Sequence, residues 1–201
     1  IGNPPFSKSI KGTLLTEYRK QAMNKNAVNT SAFFLEKSLK LGKYIILIMP
    51  KFLLNTPEFK LTRDLLSSFQ IDAIFDFGEK GFNGVLIETI GICIYAKGKP
   101  GNTLVVSFPD NLKYSQRQNY ICDKRFPYWL IYRNKEFDEL CKKMKFGVFS
   151  VFRDRQITNG ILNEQNGIRV IKSRNISDDG STIINIAGYD AYIELEKAQG
   201  L

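Results

Sequence analysis

The chain has 201 residues, of which 43% are hydrophobic and 12% aromatic, a globular composition long enough for one domain and part of a second. No apolar run approaches the roughly 20 residues that span a bilayer, so a soluble protein without membrane attachment is expected. The lack of any histidine removes Ser-His and Cys-His catalysis and most catalytic zinc sites, and no metal site is expected.

A net charge of +9 fits a polyanionic partner, nucleic acid first, because Lys and Arg that neutralise phosphates release counterions; it fits a solvated basic surface equally well. Cys93, Cys122 and Cys141 are odd in number and far apart, which points to free thiols and a cytoplasmic location. No methionine precedes Ile1 and no signal-peptide pattern follows it, so further residues are expected upstream.

Asn3-Pro4-Pro5-Phe6 reads as a rigid extended loop, since each proline ring fixes its own φ and Pro5 keeps Pro4 out of the helical region. From Thr30 to Leu41, Phe33, Phe34, Leu35 and Leu39 recur with helical spacing and Gly42 supplies a stop. The continuous apolar run Tyr44 to Met49, closed by Pro50, predicts a strand buried on both faces of a parallel sheet. Thr56 as N-cap and Pro57 in the first turn predict a helix to about Phe69, followed by a strand from Ile71 to Phe77.

A glycine-rich loop, Gly78 to Gly84, then leads into β-prone Val85 to Tyr95, and the two strands predict a hairpin-like edge. Leu104 to Phe108 predicts a further short strand, Asn111 to Asn119 a polar loop that ends the sheet, and Asn134 to Lys145 a connecting helix. From Val148 the texture changes to short β segments, Ile168 to Ile171 and Thr182 to Ile186, separated by Asn-Gly and Asp-Asp-Gly turns. The alternation of helix and strand in the first part predicts an α/β fold, and the last part a small β-rich unit.

On its own, Asn-Pro-Pro before an aromatic is an ordinary turn. Here it is followed by a loop, a helix and a strand ending in proline, and in that context Asn3-Pro4-Pro5-Phe6 resembles the Asn-Pro-Pro-(Tyr/Phe) signature of amino-group DNA methyltransferases of the adenine-N6 kind. Gly81-Phe82-Asn83-Gly84-Val85 is similar to the family's later motif, at the turn between its last two strands. The resemblance covers about residues 1 to 110 and implies the C-terminal half of a Rossmann-like sheet that uses S-adenosylmethionine.

The same resemblance implies roles for residues. An exocyclic adenine amine is a poor nucleophile because its lone pair is delocalised, so the site must offer acceptors; the side-chain oxygen of Asn3 and the carbonyl of Pro4 would take its two N–H bonds. Phe6 would stack on the flipped-out base and Phe82 pack against it from another side, or Phe82 caps the core as a hairpin aromatic. The family's glycine-rich cofactor loop has no counterpart here: Gly78, Gly81 and Gly84 have the wrong spacing and no helix start follows them. The main cofactor-binding loop is therefore expected upstream, and residues 1 to 201 alone are expected to be inactive.

Residues 148 to 201 resemble the opening of the DNA-recognition region of type II restriction-modification methyltransferases, on Phe152 to Gly160 and Ile168 to Ile176. Arg153, Arg155, Arg169, Lys172 and Arg174 would then contact DNA, or they decorate a solvated β surface. The expected organisation is a catalytic part over 1–115, a connector with a helix over 116–147 and the start of a recognition domain over 148–201. The expected function is the modification component of a restriction-modification system, acting on double-stranded DNA, with a nuclease domain or subunit a possible partner. Two rivals stand beside it: transfer to RNA or protein glutamine amino groups, and a non-catalytic nucleic-acid-binding subunit in which the motif is relict.

Overall fold

The computed structural model describes residues 1–8, 10–81, 87–146, 148 and 157–199. They form two compact units, Ile1–Lys143 and Met144–Leu201. None of their helices is long and apolar enough to cross a membrane.

The first unit is a mixed α/β domain. Helix α1 (Gly12–Gln21) is followed by α2 (Thr30–Leu41), which the Phe33, Leu35 and Leu39 spacing predicts. Strand β1 (Tyr44–Pro50) leads through two short 3-10 turns, Lys51–Leu54 and Pro57–Phe59, to α3 (Lys60–Leu66). Strands β2 (Gln70–Gly78), β3 (Thr89–Tyr95), β4 (Asn102–Ser107) and β5 (Leu112–Arg117) complete the sheet, and helices α4 (Gln118–Ile121) and α5 (Lys135–Lys143) follow.

The five strands are ordered β1-β3-β2-β4-β5. Strand β3 runs antiparallel to both β1 and β2, β2 is parallel to β4, and β5 is antiparallel to β4. Strands β1, β2 and β4 therefore end on the same edge of the sheet, where β3 and β5 begin. Ile45, Leu47, Met49, Ile90, Ile92 and Ile94 line one face and join Ala32, Leu35, Leu53, Phe59 and Leu66 in the core. Each fully buried aliphatic side chain contributes about 1.5–3 kcal/mol of transfer free energy.

Several expectations change in detail. Strand β1 is buried on one face only: its odd-numbered residues are in the core, while Tyr44 and Ile46 are exposed. The strand after the glycine-rich loop is no edge, because β3 inserts between β1 and β2. The stretch read as a polar loop forms β5, an edge strand whose Tyr114 hydroxyl donates to the Ile131 carbonyl and whose Gln116 amide donates to the Arg133 carbonyl at 2.9 Å. Edge strands tolerate such polar residues, since one side of the ladder stays open. Thr56 does not cap the following helix; its hydroxyl donates back to the Phe52 carbonyl at 2.9 Å.

The second unit holds a small antiparallel sheet, β6 (Leu162–Asn163), β8 (Ala191–Ile193) and β7 (Ile168–Val170) in that order, and helix α6 (Leu195–Gln199). The segment 182–186 contributes only an isolated bridge, Ile176 to Ile183. Beyond it the Ile184 N–H donates to the Asn175 carbonyl at 2.8 Å, and the Ile184 carbonyl accepts from the side chains of Arg169 at 2.7 Å and Asn175 at 3.2 Å. All three cysteines are free, and burial pushes the Cys122 thiol up to about 12.

Candidate active site

Gly2 forms a parallel bridge with Leu47 on the open side of β1: its N–H donates to the Ile46 carbonyl at 2.9 Å, and its carbonyl accepts from Ile48 N–H at 3.0 Å. The chain therefore leaves the sheet at the carboxyl edge, where β1, β2 and β4 also end. Ligands of open α/β sheets bind outside this edge. Asn3 is exposed there, the Pro4 ring is buried, Pro5 is exposed and Phe6 is half-buried.

The far end of the loop is tied down as firmly. The Ser7 carbonyl accepts the Thr30 N–H at 2.8 Å and its hydroxyl at 2.9 Å, at the first turn of α2. That turn is capped by Asn29, whose Oδ1 accepts Ser31 N–H at 3.1 Å and Ser31 hydroxyl at 2.7 Å. Lys8 pairs with Glu58 at 3.0 Å, and Glu58 in turn accepts Val28 N–H at 3.3 Å. Four residues, two of them proline, are thus stretched between a strand bridge and a helix start. Such a loop presents its acceptors with little entropy left to lose.

A second polar group lies on the same edge. Asp76, 1% exposed near the end of β2, accepts Gly78 N–H at 2.9 Å, pairs with Lys51 at 2.9 Å and receives the Tyr132 hydroxyl. Lys51, the first residue after β1, also pairs with Glu88 at 2.8 Å. Burial opposes the Lys51 charge, but hydrogen bonds to Glu88 and Asp76 outweigh it and hold its pKa above the usual lysine value. Burial first, and then the Asp76 carboxylate, push the Tyr132 hydroxyl well above an ordinary tyrosine.

Sequence reasoning passed over these residues. The available signal was a carboxylate set between Phe75 and Phe77, which needs a partner if buried. Phe82 lies outside the described residues, as do Arg153 and Arg155. The described ends of β2 and β3 at Gly78 and Thr89 lie on the edge at which the chain leaves its bridge to β1. Among the described residues, no group of three or more histidines, cysteines or acids could hold a metal ion.

In the second unit Arg169 is used internally: it pairs with Asp190 at 3.2 Å and donates to the Ile184 carbonyl. Lys172 and Arg174 both lie over the Tyr189 ring, at 3.9 and 4.8 Å from its centroid. Of the three described basic residues predicted to meet DNA, these two share one patch.

Residues 1–82 match the Eco57I restriction-modification methylase family. No match was found among curated protein sequences. Among solved structures the chain is similar to one of a type I restriction-modification system, at 18% identity over 70% of this chain and 28% of that one, with a TM-score of 0.42. It is also similar to the type IIG restriction endonuclease BpuSI, at 21% identity over 52% of this chain and 14% of that one (TM-score 0.42). The third similarity is to the M protein of the type I restriction enzyme EcoKI, at 13% identity over 52% of this chain and 24% of that one (TM-score 0.41). The chain thus spans less than a third of the length of these proteins.

Proposed function

We propose, from the match of residues 1–82 to the Eco57I restriction-modification methylase family, that this chain is the target-base side of a DNA adenine-N6 methyltransferase, the modification component of a restriction-modification system. The observation that carries this reading is the Asn3 to Phe6 loop, held at one end by the Gly2 bridge to β1 and at the other by Thr30 on the Ser7 carbonyl. The Asn3 amide oxygen and the Pro4 carbonyl would accept the two N–H bonds of a flipped-out adenine, localising the nitrogen lone pair. Phe6 and Phe82 would stack with the base, replacing about 1–3 kcal/mol of the stacking lost on extrusion.

S-adenosylmethionine would supply the methyl group. Among the described residues, no glycine-rich turn runs from a strand into an α-helix; Gly78 opens onto a single 3-10 turn, Glu79–Gly81. In this reading the described residues serve the target base, and the cradle for the cofactor's nucleoside is assigned outside them. Lys172 and Arg174 would meet the phosphates of double-stranded DNA together with Arg153 and Arg155, while Arg169 would brace that patch through Asp190.

Nucleoside analysis of duplex DNA incubated with the full-length protein and S-adenosylmethionine tests the base assignment. N6-methyladenine is the expected product. N4-methylcytosine would move the assignment to cytosine, and unmodified DNA would direct the search to RNA or protein glutamine.

A further inference from the structure

The stretch Pro127 to Arg133, between α4 and α5, is neither helix nor strand, yet it is anchored along its length. The Pro127 carbonyl accepts from Arg63 at 2.9 Å, Trp129 N–H donates to the Leu54 carbonyl at 2.9 Å, Leu130 N–H donates to the Ile121 carbonyl at 3.1 Å, and the Ile131 carbonyl accepts the Tyr114 hydroxyl. Burial alternates along it. Trp129, Ile131 and Arg133 are buried, whereas Tyr128 and Tyr132 are 41% and 38% exposed and Leu130 is half-buried. Tyr132 is further fixed by its hydroxyl bond to Asp76. A ring held this firmly at a surface has little freedom left to lose when a ligand meets it.

Between this stretch and the turn that follows β1 lies a cleft of about 410 Å³, lined in part by Lys51, Leu54, Asn55, Tyr128, Leu130 and Tyr132. Its whole wall belongs to the first unit, and its volume is that of a ligand cleft. The two cations in the wall are already neutralised: Lys51 by Asp76 and Glu88, at 2.9 and 2.8 Å, and Arg133 by Asp123 and Asp138, at 2.7 and 2.6 Å. The exposed residues of the wall are Asn55, Tyr128 and Tyr132. Two tyrosine rings beside an amide that can donate and accept suit a nucleobase, not a phosphate.

The cleft also stands close to the candidate target-base loop. Gly2 is level with Leu47 on β1, and the same strand runs on to Lys51. Lys51 is therefore about three residues further along than Asn3, about 10 Å at the rise of a strand, or about three nucleotide steps of DNA.

We propose that this cleft stacks a nucleobase lying within about three nucleotides of the target adenine, against Tyr128 and Tyr132 and with Asn55 at its edge, and so contributes to site recognition. The proposal rests on the methyl-transfer reading above.

The test uses the full-length protein and duplexes that it methylates, each carrying one abasic site at a position within about three nucleotides of the target adenine, on either strand. DNA affinity is measured for wild type and variants on every duplex. Tyr128→Ala is expected to weaken binding to the intact duplex roughly five- to 100-fold, the cost of one base stack, and Tyr128→Phe, which keeps the ring, to bind within two-fold of wild type. At one position the abasic site is expected to cost wild type a similar factor but to cost Tyr128→Ala less than two-fold, because the stack is already gone. Asn55→Ala is expected to show a smaller loss coupled to the same position. Thermal melting identifies any variant that has lost its fold, and Asn55→Ala, at an exposed side chain, keeps the test open if Tyr128→Ala does.

Binding by Tyr128→Ala and Asn55→Ala within two-fold of wild type overturns the proposal, as do losses that multiply with the abasic penalty at every position. A full-length protein that methylates no DNA overturns the methyl-transfer reading and the base cleft with it. One that methylates DNA while the losses multiply removes the base cleft only.

Discussion

Arg63 is 3% exposed, yet all of its hydrogen-bond acceptors are neutral. It donates to the carbonyls of Leu53 and Thr56, both at 2.8 Å, and of Pro127 at 2.9 Å. The guanidinium thereby ties the turn after β1 to the chain ahead of Trp129. Arg63→Met keeps most of the volume but leaves three carbonyls without their donor, at about 1 kcal/mol or more each. Urea unfolding of residues 1–201 is expected to show a loss of roughly 2–4 kcal/mol, and a change below 1 kcal/mol would mean that water replaces the guanidinium.

Asp123 gives a residue-scale prediction about pH. Hydrogen bonds from Arg125 first, then from Arg133, hold its carboxyl well below the usual carboxylate range. The Tyr120 hydroxyl, and then Arg133, lower Asp138 in the same cluster. A depressed folded-state pKa adds stability that is complete above the unfolded value of about 3.9 and is lost as pH falls toward the folded value. Stability should therefore drop below about pH 4, and Asp123→Asn should flatten that part of the profile. Identical pH slopes for variant and wild type would remove Asp123 from the account.

At the scale of elements, α2 and the Asn3 to Phe6 loop form one device, because the first residue of the helix fastens the end of the loop. Thr30→Val deletes the hydroxyl bond to the Ser7 carbonyl but leaves the backbone bond in place. It is expected to cost about 1 kcal/mol and to slow methyl transfer more than a uniform loss of stability would, with Thr30→Ser close to wild type. Equal activity of Thr30→Val and wild type at a temperature where both are folded would show that the backbone bond suffices.

The elements that could be read in advance were those with a strong local signal. The Phe33, Leu35 and Leu39 spacing gave α2, and the run from Tyr44 to Pro50 gave β1. Strand β5 was missed because only Tyr114 and Gln116 of this edge strand turn partly inward while Leu112 stays exposed, so no apolar alternation marks it. Helix α1 was missed because it buries no residue fully, so its apolar stripe is thin. The insertion of β3 between β1 and β2 depends on pairing across the sheet, which spacing along the chain does not encode. The motif loop was legible only in context, as two prolines and an asparagine followed by a helix and a strand that ends in proline. The Lys51, Asp76 and Glu88 cluster was not, since its members are 25 and 12 residues apart in sequence and meet only once β3 is in place.

For the molecule as a whole, the proposed division of labour is chemistry in the first unit and DNA contacts in the second. Lys172 and Arg174 are the described cations assigned to phosphate. Replacing both by alanine should lower the dependence of log affinity on log salt by about two, with little change in the product formed. An unchanged slope would place the DNA contacts elsewhere.

The most direct test of the central claim is single-turnover transfer of labelled methyl groups to duplex DNA by the full-length protein, comparing wild type with Asn3→Ala at matched folded fractions. If Asn3 is the acceptor that activates the adenine amine, wild type forms N6-methyladenine and the variant loses at least 100-fold in rate, in line with the removal of one preorganised partner. A variant that methylates adenine at the wild-type rate would contradict the assignment of the Asn3 to Phe6 loop as the target-base site.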